Sequence, residues 1–74
     1  MNEKPALSVV IPAYNEAERI GLTLESVGRF LDSLELPYEI IVVNDGSTDS
    51  TTEVVNTYIQ SNSRIRLVHC SSNR

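Results

Sequence analysis

Cysteine occurs once in 74 residues, at Cys70. That excludes an internal disulfide and fits a reducing, cytoplasmic compartment. His69 stands beside it, but neighbours on a strand point to opposite faces, so the pair does not converge as nucleophile and base. Cys70 is read as structural. Tryptophan is absent and aromatic residues make up only 5%, so the core has to be aliphatic. No apolar run approaches the ~20 residues of a membrane-spanning helix. The N-terminus carries no signal-peptide pattern. Acids are absent after Glu53, while Arg64, Arg66 and Arg74 follow. This reads either as a solvated strand edge and tail or as a basic end facing phosphate. The net charge of −4 speaks against a nucleic-acid partner.

Several chemical signatures are missing as well. No Gly-x-Gly-x-x-Gly follows the first apolar run, and no Gly-x-x-x-x-Gly-Lys-Ser/Thr is present. A Gly-x-Ser-x-Gly elbow is absent. There is no Cys/His cluster for zinc and no Asp-x-Asp pair for a divalent metal.

What is present is a repeated grammar of apolar run, breaker, polar cluster and helix. Leu7 to Ile11 reads as a strand that Pro12 stops. Asn15 is placed as a helix N-cap, with Glu18 at capping-box spacing. Ile20, Leu24, Val27, Leu31 and Leu34 then form one apolar stripe on a helix of about five turns. Gly21 and Gly28 lower its propensity by roughly 1 kcal/mol each and suit close packing on the sheet. Pro37 ends the helical region. Glu39 to Val43 is a nearly unbroken apolar run, as in a strand buried on both faces. An Asn44-Asp45-Gly46-Ser47 turn follows. Asp49 or Ser50 caps a second helix, Ser50 with Glu53 at capping-box spacing, and Val54, Val55, Tyr58 and Ile59 form its apolar face. Ser61-Asn62-Ser63 turns the chain into a third strand, Ile65 to His69.

The order β-α-β-α-β with right-handed crossovers predicts a parallel sheet ordered 3-2-1, with both helices on one face. The opposite face then has no cover of its own. Parallel sheets occur almost only covered on both sides. The chain is therefore expected to be part of a larger domain or to self-associate through that face.

Parallel strands bring the loops after strands one and two together at the carboxyl rim, where open α/β sheets bind ligands. Pro12, Tyr14, Asn15 and Glu16 then lie near Asn44, Asp45, Gly46 and Ser47. Tyr14 suits a base, and Asp45 suits a base N–H or a ribose hydroxyl. Gly46 allows backbone to approach a ligand without a Cβ clash. The start of the second helix offers amides to an anion, in competition with Asp45 and Asp49. Each residue also has a plainer reading: Asp45-Gly46 as a turn pair, Tyr14 as packing, Asn15 as a cap, Glu16 as a first-turn acid.

Two motifs, Leu7-Ser8-Val9-Val10-Ile11-Pro12-Ala13-Tyr14-Asn15-Glu16 and Ile41-Val42-Val43-Asn44-Asp45-Gly46-Ser47-Thr48-Asp49-Ser50-Thr51, resemble the start of a family 2 glycosyltransferase of GT-A fold. Within that family the chain is most similar to polyprenyl-phosphate sugar synthases, such as dolichyl-phosphate glucosyl- or mannosyltransferases. Ser71-Ser72-Asn73-Arg74 resembles the approach to that subgroup's Asn-x-Gly-Lys-Gly segment. The resemblance implies that residues 1–74 are the N-terminal, Rossmann-like nucleotide-sugar-binding portion of a truncated GT-A domain. Pro12, Ala13, Tyr14 and Glu16 would line the nucleotide pocket, together with Asn44, Asp45 and Gly46. Asp45 would bind the base, and Asn44 replaces a second Asp found in relatives. The donor would be a UDP-sugar or GDP-sugar, and the acceptor a polyprenyl phosphate or another molecule. The full-length enzyme would be membrane-associated and would invert the anomeric centre. It would use Mg or Mn held by an Asp-x-Asp motif and a later carboxylate base. Neither part is among these residues, so the portion alone is expected to be inactive. The alternative is a non-catalytic, self-associating α/β module without ligand.

Overall fold

The structure, a computed structural model, describes residues 4–70. The resemblance drawn on Ser71 to Arg74 lies outside them. Strand β1 (Leu7–Ala13), helix α1 (Ile20–Ser33), strand β2 (Tyr38–Asn44), helix α2 (Thr51–Ser61) and strand β3 (Ile65–His69) follow in that order. The strands form one parallel three-stranded sheet with β2 in the centre, the sheet order expected from the sequence.

Side chains alternate across β2. Tyr38, Ile40, Val42 and Asn44 are buried, while the residues between them are half-buried. Register aligns Val9 with Ile40 and Ile65, Ile11 with Val42 and Leu67, and Ala13 with Asn44 and His69. These rows face the helices. Ile20, Leu24 and Leu31 from α1 and Val55 from α2 complete one aliphatic core with them. Fully burying such a side chain contributes roughly 1.5–3 kcal/mol, so this single layer carries most of the fold's stability.

The helices also touch each other through a tyrosine. Tyr58 donates its hydroxyl to Glu25 Oε2 at 2.8 Å, which raises its phenol above the usual range. A Cβ on Gly21 would stand 2.9 Å from that hydroxyl, so Gly21 serves helix–helix contact rather than contact with the sheet. Tyr38 lies beneath α1 and donates to Asp32 Oδ1 at 2.8 Å. Burial, and then that hydrogen bond, push its phenol upward.

The other face of the sheet is open, as expected. Val10 is 58% exposed and Val68 47%, and Ile41 and Val43 are half-buried between them. The amino end of this face is polar: Ser8 Oγ donates to Glu39 Oε2 at 2.5 Å, and Arg66 Nε lies 3.9 Å from Glu39 Oε1. Arg64 stacks on the Tyr38 ring at 4.6 Å. Arg64 and Arg66 thus have partners at the amino rim, away from the loops that follow the strands.

Both ends of β2 and the end of α2 lie one residue beyond the sequence expectation, and three boundaries differ by more, each for a physical reason. β1 runs through Pro12 to Ala13. The Asp45 amide donates to the Ala13 carbonyl at 2.9 Å, so Ala13 faces β2 and its neighbour Pro12 faces the outer edge, where a missing donor costs the ladder nothing. α1 begins at Ile20, not after Asn15, because Asn15 lies in left-handed backbone at φ 53. It spans 14 residues, nearer four turns than five. It also ends before Pro37: Glu35 takes φ 58, the reversal that commonly closes a helix, and Leu34 is left 38% exposed beyond the last turn.

Candidate functional site

The loops after β1 and β2 meet at the carboxyl rim and are joined by hydrogen bonds. Asn15 N donates to Ser47 Oγ at 2.9 Å, Glu16 N to Thr51 Oγ1 at 2.9 Å, and Ala17 N to Asp49 Oδ2 at 3.2 Å. In return Asn15 Oδ1 accepts from Thr48 N at 2.8 Å and Asp49 N at 3.2 Å. Asn15 is therefore no helix cap. Nor does a side chain cap α2 at Ser50; Asp49 Oδ1 accepts from Thr51 N at 3.0 Å and from the Thr51 hydroxyl.

Each residue of the expected site has a definite place. Pro12 is exposed on the outer edge of β1, and Tyr14 beyond it is 58% exposed, which rules out a packing role among the described residues. Ala13 is buried beneath the helices, so only its backbone reaches the rim. Glu16 is half-buried, and its Oε1 accepts from Arg19 Nε at 3.1 Å, within an ion pair of 2.9 Å to Nη2. Asp45 is half-buried where the chain leaves β2. Gly46 has φ 74, a left-handed backbone that favours glycine.

Asn44 differs from the rest. It is 5% exposed and points under the helices. Its Oδ1 accepts from Ser47 N at 3.0 Å, and its Nδ2 donates to Thr52 Oγ1 at 2.9 Å and lies 3.4 Å from His69 Nδ1. Its side chain shapes the turn that carries Asp45.

At the start of α2 the Thr51 amide already donates to Asp49, and the preceding amides of Ser47, Thr48 and Asp49 donate to Asn44 and Asn15, so these four are not available to an anion. A hollow beside them is lined by Asn15, Glu16, Glu18, Arg19 and Asp49. Three carboxylates against one guanidinium do not favour a diphosphate there. Among the described residues no group of three or more His, Cys, Asp or Glu could hold a metal ion, so these residues do not fit a resident metal. No helix among them is long and apolar enough to cross a membrane.

Sequence reasoning missed Thr51. It is fully buried and joins both loops through one hydroxyl. The signal was an Asp two residues before a Thr at a helix start, a local pairing that says nothing of Glu16, 35 residues away.

The Glycosyl transferase family 2 model matches residues 8–74. This chain belongs to that family. Among its family 2 relatives, a dolichyl-phosphate beta-glucosyltransferase from Dictyostelium discoideum is 44% identical over 75 residues, covering 92% of this chain and 23% of that protein. A hyaluronan synthase from Pasteurella multocida is 38% identical over 68 residues, covering 92% of this chain and 7% of that protein. A solved mannosyltransferase from Pyrobaculum calidifontis, in complex with GDP-Man and Mn2+, superimposes with a TM-score of 0.74 at 26% identity. That match covers 99% of this chain and 21% of the mannosyltransferase. The β-α-β-α-β unit is thus a Rossmann-like part of a GT-A domain. The family 2 chain spans about a fifth of the length of the glucosyltransferase and the mannosyltransferase.

Proposed function

We propose that this chain is the nucleotide-sugar-binding portion of an inverting glycosyltransferase that moves a hexose from a UDP- or GDP-sugar to a polyprenyl phosphate. The observation that carries this reading is the joining of two loops at the carboxyl rim, with Tyr14 exposed on one and Asp45 on the other. Uracil and guanine both present ring N–H donors, and a carboxylate at a strand end is suited to accept them. Tyr14 flanks the base, Pro12 and Glu16 form the near wall, and Gly46 lets the turn come close. Ala13 contributes backbone only, and Asn44 acts by holding the turn. The relatives' names support the acceptor class: a dolichyl-phosphate glucosyltransferase points to a lipid phosphate, which would bring the longer enzyme to a membrane surface.

Transfer itself needs charge neutralisation at the leaving diphosphate and a base for the acceptor. Among the described residues no group of three or more His, Cys, Asp or Glu could hold a metal ion; the Mn2+ bound by the solved mannosyltransferase supports a divalent metal, Mg or Mn, in the longer enzyme. These 74 residues are expected to bind nucleotide and not to turn over. Titrating the chain with UDP and with GDP, followed by NMR at the Tyr14 and Asp45 amides, tests the reading. One nucleotide should bind better than the other, and Asp45→Ala should abolish binding with the fold intact. No response to either nucleotide at millimolar concentration, or unchanged binding by Asp45→Ala, overturns it. The open sheet face favours a second reading, a self-associating module without ligand, which that same silent titration would support.

A further inference from the structure

We propose that Asn15 and Thr51 are positioning residues for nucleotide binding, locking the loop after β1 to the loop after β2 without touching the nucleotide themselves. This rests on the nucleotide-binding reading above. Three consecutive amides of the first loop, Asn15, Glu16 and Ala17, donate to three side chains of the second, Ser47, Thr51 and Asp49. A simple surface connection leaves such amides to water or to its own turns. Here each is satisfied by a side chain 32 to 35 residues away.

Asn15 closes the arrangement from the other direction. Its left-handed backbone, φ 53, turns Oδ1 toward the second loop, where it accepts from the amides of both Thr48 and Asp49. Asn is one of the few side chains that tolerate this conformation. Thr51 is the buried half. Its hydroxyl accepts from Glu16 N while donating to Asp49 Oδ1, so a single oxygen ties together three segments. Tyr14 immediately precedes this run of bonds, and Asp45 is tied to Ala13 by its own amide. The separation of the two ligand-facing groups is thus fixed on both sides. Fixing it before the ligand arrives removes an ordering cost from binding.

The test compares removal with conservative replacement. Asn15→Gly keeps the left-handed backbone and deletes the acceptor; Asn15→Asp keeps the acceptor. Thr51→Val deletes the hydroxyl at nearly constant shape; Thr51→Ser retains it. UDP and GDP are titrated against the whole chain and each variant, with melting temperature measured in parallel. Asn15→Gly should weaken binding about tenfold, the effect of losing a pair of hydrogen bonds that preorganise a site, with little change in melting because Asn15 is exposed. Asn15→Asp should restore affinity to within about twofold of the parent, since the carboxylate accepts the same two amides. Thr51→Ser should likewise recover what Thr51→Val loses. Should Thr51→Val fail to fold, the exposed Asn15 pair decides alone. Wild-type affinity in Asn15→Gly, or an affinity loss that merely tracks lost stability and is not rescued by Asp, overturns the proposal. Parent protein that binds neither nucleotide overturns the binding reading, and this inference with it.

Discussion

Both oxygens of the Asp49 carboxylate are in use: Oδ1 accepts from the amide and hydroxyl of Thr51, and Oδ2 from the amide of Ala17. The Thr51 hydroxyl, more than any other contact, holds this carboxyl below its ordinary value of 3.8. A carboxyl lowered on folding contributes stability above its unfolded value, and that contribution is lost as pH falls through the folded value. Asp49→Asn is therefore expected to lower the melting temperature at about pH 7, and the gap to the parent should narrow on acidification to about pH 3, below the ordinary carboxyl value, as Asp49 takes up its proton. Thermal melts at the two pH values check this; a gap of equal size at both would assign the effect to shape, not charge. Little of this was legible in the sequence. Asn15, Asp49 and Thr51 each have a local reading as caps or turn formers, and those readings compete with partners more than thirty residues away that one strand of text does not show. Asp45 and Gly46 were legible, because a β run ending in Asp-Gly fixes both the strand end and the need for left-handed backbone.

The elements themselves were written plainly. A four-three-four spacing in α1 and an apolar run in β2 belong to no other periodicity, and β3 falls where it was expected, at Ile65–His69. Boundaries were harder to read, because Pro12 and Pro37 act through the direction their missing donors face and through neighbours such as Glu35. The two α1 glycines show how much packing decides. Gly28 is buried, yet a Cβ there would meet nothing within 4 Å, whereas one on Gly21 would press on the Tyr58 hydroxyl. Gly28→Ala should stabilise the chain by about 1 kcal/mol through helix propensity alone. Gly21→Ala should forfeit a similar gain, or reverse it, by displacing Tyr58 from Glu25. Urea denaturation of the two variants reads opposite or clearly separated shifts; equal stabilisation by both would show that Tyr58 gives way freely.

For the molecule as a whole, the two faces of the sheet divide the physics. One is sealed by α1 and α2, and the other leaves Val10, Ile41, Val43 and Val68 without helical cover. Burying a valine fully contributes roughly 1.5 kcal/mol or more, so contact through this patch is favourable for the chain on its own. Sedimentation velocity over a concentration series should show reversible self-association, and Val10→Lys with Val68→Lys should abolish it while leaving nucleotide binding intact. A monomer at every concentration that binds no hydrophobic dye would contradict the expectation. Pro12 decides which way such association can run. Its ring presents no N–H to the outside seam of β1, so an incoming strand meets a gap in the row of donors it would need. Copies of this chain can stack flat against one another, but they are discouraged from growing side by side into an endless ribbon, and the same proline that frames the rim also guards against fibrils.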